Sequence, residues 1–595
     1  MTKPTSPRIY EFGAFRLDSH RRALLRDGEL VALTARAIDL LLVLIERRAQ
    51  VLEKEELIQL LWPDTTVEEG NLTVNVSTLR KALGESPNER RFIMTVPGRG
   101  YRFIAPVREV AGEEEEIILA RRTRTHIVIE AEASETRTSV AILPFKPLPP
   151  NEGDEYLGLG LADALITRFG QFGQMLVRPT SAVLKYAQAP CDPLAAGREL
   201  SVASVLDGHL QRASDRLRVT AQLVRTNDGA LLWAGKFDES FTDIFALQDA
   251  LSDQVARALL PSLSGEQQRR LSKRHTEHAE AYRLYLKGRW HWNHFTEAEM
   301  KQGMECYRQA IELDPNYALA YTGLADAYAT LHYNGYLPLE EAAPRHIALA
   351  EKALQLDGSL AEAHCSMAFA AIVYERDWAR AEQGYKLALQ LNPGYVTGHH
   401  YYAFFLAAQA RFDEALVEIK HALALDPLAP YLNTDVGWMH YFARRYDQTL
   451  ACCQQALDIA PDFALAHAYR GLAYERLGRY DEAISALQNA VTLAGGSADM
   501  TAWLGYVYAM SGRRAEAQHV LQELQARAAQ GFVALHNTAM IYAALGERDE
   551  AFVWLEVAFQ KHAGWLFCLK VDARLDGLRA EPRFVDLVRR FGLSE

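Results

Sequence analysis

Between residues 411 and 551 one short pattern returns every 34 residues. It reads Arg411-Phe-Asp-Glu-Ala415, Arg445-Tyr-Asp-Gln-Thr449, Arg479-Tyr-Asp-Glu-Ala483, Arg513-Arg-Ala-Glu-Ala517 and Glu547-Arg-Asp-Glu-Ala551. Pro393, Pro427 and Pro461 keep the same interval, as do Gly437, Gly471 and Gly505. Three residue classes held in one phase are not a chance match. A unit of this length holds two helices and their turns, and one helix pair cannot bury its own apolar face. The units must therefore stack into a linear array, each covering its neighbour. Pro315 falls ten residues out of phase, and the segment around His332–Glu341 accounts for that as an insertion.

Two helices per 34 residues is the tetratricopeptide signature, and residues 276–565 resemble such an array. The expected shape is a right-handed superhelix with a concave groove that receives a protein or peptide partner, or a small ligand. Aromatic residues crowd the first helices: Tyr401, Tyr402, Phe404, Trp438, Tyr441, Tyr469, Tyr474, Trp503, Tyr506 and Tyr508. Most are expected to pack between helices, with a few lining the groove. Residues 566–595, with Asp572-Ala-Arg-Leu-Asp576, are expected to cap the last repeat.

The array accounts for only part of 595 residues, so several domains are expected. Residues 1–108 begin with short alternating stretches separated by turns, the pattern of a small antiparallel sheet. Thr34 then opens a helix to about Arg48, with Ile38, Leu41, Leu42 and Ile45 on one face. Lys54–Leu61 is a second helix, stopped by Pro63. A third runs from about Val67 to Leu83, and a hairpin turning at Pro97-Gly98-Arg99-Gly100 closes the unit. The net charge of −12 conceals an asymmetry. Residues 1–108 carry 17 Lys/Arg against 14 Asp/Glu, and the remainder carries 47 against 62. A mildly basic head on an acidic body suits a DNA-binding unit joined to a larger module.

The third helix supports that assignment. Leu72, Val76, Leu79 and Leu83 form one inward stripe. The opposite side carries Gly70, Val74, Ser77, Thr78 and Lys81, flanked by Asn71 and Asn75 on one edge and Thr73 and Arg80 on the other. Short hydrogen-bonding side chains can reach base edges, Val can touch a thymine methyl, and the cations neutralise phosphates. In the hairpin, Arg99 sits between two glycines on a thin tip suited to a minor groove, with Arg90, Arg91 and Arg102 beside it.

Thr34-Ala-Arg-Ala-Ile-Asp-Leu-Leu, Leu57-Ile-Gln-Leu-Leu-Trp62, Val74-Asn-Val-Ser-Thr-Leu-Arg-Lys-Ala-Leu83 and Thr95-Val-Pro-Gly-Arg-Gly-Tyr-Arg-Phe103 resemble the OmpR/PhoB-type winged-helix effector domain over the whole first unit. The resemblance implies a four-stranded N-terminal sheet, a recognition helix in the major groove, a wing at the minor groove, and head-to-tail binding on direct repeats. It places Thr73, Ser77 and Thr78 at bases and Asn75, Arg80 and Lys81 near phosphates. Ser77 and Thr78 stand where basic residues often occur, and Pro97 is unusual in the wing. Weaker affinity and greater reliance on tandem binding are therefore expected. The domain begins within about ten residues of Met1, so no receiver domain is expected before it, and input is expected from the C-terminal side.

Glu113–Glu116 opens a charged linker over residues 109–137. Residues 138–275 alternate strands and helices in mixed order. Val140-Ala-Ile-Leu-Pro-Phe145 and Tyr156-Leu-Gly-Leu-Gly-Leu-Ala-Asp-Ala-Leu165 are similar to the amino-terminal domain of TolB. Gly158 and Gly160 lack the downstream residues of a phosphate loop. His291 and His294 share a helix face but have no third ligand nearby, and the adjacent His399 and His400 diverge. No metal, cofactor or catalytic set is expected, and the six cysteines lack ligand spacing. No apolar stretch is long enough to span a membrane. The fold class expected is multidomain α+β: an N-terminal winged helix-turn-helix, a central mixed α/β domain and a C-terminal all-α superhelix. The expected function is a cytoplasmic bacterial transcription regulator that binds double-stranded DNA and is controlled through its repeats. RNA polymerase is a further candidate partner, and a homodimer on DNA a candidate assembly. A scaffold with vestigial DNA binding is the rival reading, and an enzyme hidden in residues 138–275 the third.

Overall fold

In the computed structural model the chain forms two compact units, Met1–Ile129 and Glu130–Glu595. The structure describes residues 8–18, 23–26, 29–31, 35–48, 50–61, 72, 76, 79–80, 82–85, 91–96, 99–111, 138–148, 155–172, 175–187, 191–213, 216–240, 244–260, 274–292, 297–333, 336–528 and 535–593.

The first unit begins with strands β1 (Arg8–Phe12), β2 (Phe15–Asp18), β3 (Ala23–Arg26) and β4 (Glu29–Leu30). They form the antiparallel sheet the sequence predicts, with one addition. The strands β5 (Leu52–Glu53), β6 (Ile93–Val96) and β7 (Gly100–Phe103) make a second sheet in the order β5-β7-β6, and β8 (Arg108–Ala111) returns to pair with β1. The strand thus continues to Ala111, past residue 108, because it satisfies the otherwise open backbone edge of β1. The helices Ala35–Glu46 and Lys54–Leu61 lie between.

The core of this unit follows the helical and strand periods. Leu72, Val76, Leu79 and Leu83 are all buried, as the wheel requires. On the first helix the buried set is Ile38, Leu40, Leu41, Leu44 and Ile45, while Leu42 is only partly covered. Four phenylalanines join the sheets. Phe12 stacks on Phe15 at 5.6 Å between centroids and meets Phe103 edge-on at 5.2 Å, and Phe15 meets Phe92 at 5.5 Å.

The second unit opens with a six-stranded mixed sheet. Its strands are β9 (Thr138–Ile142), β10 (Lys146–Pro147), β11 (Met175–Val177), β12 (Ser204–Ala213), β13 (Arg216–Arg225) and β14 (Leu231–Ser240). β9 runs parallel to β11 and β12, and β12 to β14 form an antiparallel meander. The helices Glu155–Gly170 and Ile244–Leu259 cover it. Gly158 and Gly160 here serve close packing. A Cβ on Gly158 would fall 1.8 Å from the Phe145 carbonyl oxygen, and one on Gly160 would fall 2.4 Å from Leu286.

That core does not stop at the sheet. Buried side chains run without a break from Val140, Leu165 and Val219 to Tyr285, Tyr307, Tyr317 and Leu324 of the first repeat helices. Farther on, the Arg178 guanidinium donates to the carbonyls of Ala424 (2.5 Å) and Leu425 (3.0 Å). These close the helix Phe412–Leu425, where a cation meets orphan acceptors and the negative end of the dipole. Ser181 donates to Asp426 at 2.5 Å.

The repeats are helix pairs, such as Val396–Ala408 with Phe412–Leu425 and Pro430–Phe442 with Tyr446–Ile459. Each pair turns through one left-handed residue, and that residue keeps the 34-residue phase: Ala410 (φ 65°), Arg444 (φ 62°), Gly478 (φ 74°), Gly512 (φ 80°) and Gly546 (φ 82°). A Cβ is penalised there by roughly 1–2 kcal/mol. We expect Ala410→Gly to raise the melting temperature of the array, by the equivalent of about 1 kcal/mol. We expect Gly158→Ala to lower stability by roughly 1–3 kcal/mol, because its methyl would meet a backbone oxygen that cannot move alone. Thermal and denaturant melts followed by helix dichroism check both.

Candidate nucleic-acid interface and partner-binding face

The third helix of the first unit is tied to the hairpin by hydrogen bonds of Arg80 and Glu85, which also pair with each other. Arg80 Nη2 donates to the Ile93 carbonyl (3.0 Å) and to Thr95 Oγ1 (2.6 Å) on β6. Its guanidinium lies 5.9 Å from the Tyr101 ring centroid on β7. Arg80 Nε approaches Glu85 Oε2 at 3.5 Å, and the Glu85 side chain is fully buried. Glu85 Oε1 accepts from the backbone N–H of Phe92 (2.5 Å) and of Ile93 (3.0 Å). Arg80 and Glu85 thus set the angle between the helix and the wing. Sequence reasoning placed Arg80 at a phosphate and passed over Glu85. The available signal was a carboxylate just beyond the helix end, where incoming backbone donors need an acceptor.

The wing pairs Ile93 with Phe103, Met94 with Arg102, Thr95 with Tyr101 and Val96 with Gly100. Gly100 is fixed by contact, since a Cβ there would lie 1.9 Å from the Leu52 carbonyl oxygen. The Arg99 carbonyl accepts from Lys54 N–H (3.3 Å), which anchors the backbone at the tip while the Arg99 side chain is exposed. Arg102 is half-buried, with Nε at 3.4 Å from the Arg48 carbonyl beyond the first helix. Asn71, Thr73, Val74, Asn75, Ser77, Thr78 and Lys81 lie outside the described residues, as do Thr34 and Pro97.

The comparisons with known proteins agree with this geometry. Residues 28–103 match the family described as "Transcriptional regulatory protein, C terminal". This segment is an OmpR/PhoB-type DNA-binding domain. Residues 136–254, likened above to a TolB-type domain, match the second domain of HilA/YgeH-like transcriptional regulators. Tetratricopeptide families match residues 301–331, 452–485 and 474–537. The transcriptional regulator HilA of Salmonella typhimurium is 23% identical over 450 residues, covering 75% of this chain and 76% of HilA. A Rhizobium meliloti protein named "Putative adenylate cyclase 3" is 29% identical over 238 residues, 39% of this chain and 40% of that protein. CutR of Streptomyces coelicolor is 38% identical over 97 residues, 16% of this chain and 43% of CutR. No described helix is long and apolar enough to cross a membrane.

The second interaction surface is the face that the first helices of the repeats share. Trp438 stacks on Tyr441 (4.5 Å) and Tyr469 (4.0 Å), and all three are buried. Of the other aromatics in that row, Tyr402, Phe404, Trp503 and Tyr506 are also buried, while Tyr401, Tyr474 and Tyr508 are partly covered. Over Trp438 and Trp503 this face is covered by the chain's own C-terminal segment. Arg574, which is 6% exposed, makes paired contacts with Asp572 (2.7 and 3.0 Å), donates to Asn537 Oδ1 (3.2 Å) and lies 5.3 Å from the Trp503 ring. Burial alone would raise the Asp572 carboxyl, but the Arg574 charge and hydrogen bonds hold it below the usual range.

Three earlier repeats also hold the segment. Arg476 donates to the Ala573 carbonyl (3.2 Å), and Arg444 to the Val571 carbonyl (2.9 Å) and Asp576 (2.7 Å). Trp378 Nε1 donates to the Phe591 carbonyl at 2.8 Å. The segment therefore does more than hide the last repeat: it runs back along the array. Sequence patterning could not show this, because Asp572-Ala-Arg-Leu-Asp576 carries no mark of which helices it meets.

We expect Arg80→Ala in the full chain to destabilise the first unit by roughly 1–3 kcal/mol, since it leaves the buried Glu85 carboxylate without its cation. A lowered melting transition for that unit, present without DNA, checks this. An unchanged transition would return Arg80 to a surface role.

Proposed function

We propose that the protein is a sequence-specific DNA-binding transcription regulator whose control arrives through its tetratricopeptide unit. The observation that carries this is the buried stripe Leu72, Val76, Leu79 and Leu83 on a helix clamped to a wing by Arg80 and Glu85. With that stripe inward, the opposite face of the same helix is left for the major groove. In this reading Asn71, Thr73, Val74, Ser77 and Thr78 meet base edges, while Asn75 and Lys81 meet phosphates. Arg99 enters the minor groove from the wing tip. Arg80 and Arg102 act mainly by shaping the domain, since each already has an intramolecular acceptor.

The repeats receive a partner protein in the cytoplasm, and RNA polymerase and a second copy on adjacent DNA half-sites are further partners in this scheme. A small ligand is an alternative input. The name of the adenylate cyclase relative is not carried over, because the families matched here are of regulator and repeat type, and we propose no catalytic activity.

Binding of the whole protein to its own upstream DNA, measured against salt, tests the scheme. A Lys81→Ala/Arg99→Ala variant is preferable to any change at Arg80, which would perturb the fold. Loss of specific binding and a slope of log affinity against log salt shallower by about one per phosphate contact removed are expected. Equal, weak and sequence-independent binding by both proteins would favour a scaffold.

A further inference from the structure

His399 has an acceptor at each ring nitrogen. Nε2 lies 3.0 Å from the Pro393 carbonyl, and Nδ1 lies 2.6 Å from Glu418 Oε2. A carbonyl oxygen only accepts, so Nε2 carries a proton. A neutral imidazole would then turn a bare lone pair on Nδ1 toward a carboxylate. Three arrangements resolve that repulsion: a second proton on the ring, a proton on the Glu418 carboxyl, or a cation between nitrogen and oxygen.

A third donor beside them favours the cation. His421 follows Glu418 by three residues on the helix Phe412–Leu425, so both project from one face. Its ring lies 5.4 Å from that of His399, which comes from the partner helix Val396–Ala408. One ligand atom from each of His399, Glu418 and His421 falls within 4.8 Å of the others. With His421 the cluster offers two imidazole nitrogens and one carboxylate oxygen close enough to share one ion.

We propose that His399, Glu418 and His421 form a binding site for a divalent transition-metal ion of the zinc class. Two imidazoles and one carboxylate select borderline ions such as Zn²⁺ over Mg²⁺ or Ca²⁺, which prefer oxygen. Nδ1 of His399 and a carboxylate oxygen of Glu418 are two ligands, and His421 is the third. The Pro393 carbonyl orients His399 by accepting its outer N–H, the usual support for a metal-bound imidazole. Coordination opens the 2.6 Å contact to about 3.4 Å, which Glu418 can allow because it is half-buried on its helix surface. His399 is 9% exposed while His421 is exposed, so the ion enters from the His421 side and keeps a position for water. The adjacent His400 is not part of the set: its Nε2 pairs with Asp435 at 2.8 Å.

The test uses the full chain, stripped with a chelator and titrated with Co²⁺, whose visible d–d absorption reports a low-coordinate nitrogen-containing site. One equivalent is expected to produce the band, and Zn²⁺ to displace it. His421→Ala and Glu418→Gln are each expected to weaken binding at least tenfold. Zn²⁺ should raise the melting temperature of the parent protein but not that of His421→Ala, each compared with its own metal-free melt. Absence of the band in the parent protein would overturn the proposal. So would a band that survives unaltered in both variants, since other histidines would then be the ligands.

Discussion

Every helix pair of the repeat region leaves apolar surface on two sides, and only a neighbour can remove it from water. That constraint organises the second unit from end to end. Between repeats it is met by the 34-residue phase, which brings large and small side chains to the same levels in each pair. At the N-terminal end it is met by the mixed sheet, whose core continues into the first repeat helices through Tyr285, Tyr307 and Tyr317. At the other end it is met by residues 564–593, which place Leu566, Leu575, Phe584 and Phe591 in the same buried cluster as Trp438 and Trp503. The sheet domain and the tail are thus two solutions to one problem. The array lacks a free apolar end among its described residues because both were supplied by the chain itself.

Polar groups fix the directions that burial leaves open. Arg178 reaches the last carbonyls of Phe412–Leu425, an interaction that works only in one register of sheet domain against repeat. Arg574 does the same for the tail by donating to Asn537, while Asp572 beside it balances the buried charge. In the first unit the pair Arg80 and Glu85 holds helix and wing at a set angle. In all three cases the arginine bonds backbone carbonyls or a buried carboxylate, where its planar fork supplies several donors at once.

What was legible in the sequence is what local periodicity encodes. The inward stripe of Leu72, Val76, Leu79 and Leu83 and the repeat phase depend on neighbours a few residues or one repeat away, so the pattern carries them directly. The left-handed residue just before each motif was not read from the sequence, since Ala410 and Arg444 occupy it without glycine's freedom. Long-range pairings were not legible. Nothing near Arg178 names residue 424, and nothing in the tail names Trp378 or Arg444. The contacts of Arg80 were hidden for a related reason: a helix wheel gives direction around an axis, but not whether a hairpin will come back to meet the side chain. The same limit hid the neighbours of His399, whose partners sit on the next helix rather than beside it in the chain.

The C-terminal segment has a consequence for how any partner competes for the repeats. A segment tethered to the surface it covers acts as a ligand at an effective concentration in the millimolar range for short tethers. A free peptide must therefore outcompete an occupant that dilution cannot remove. Displacing the segment would break its links to Arg444, Arg476 and Asn537 and bring the buried pair of Asp572 and Arg574 into water with it.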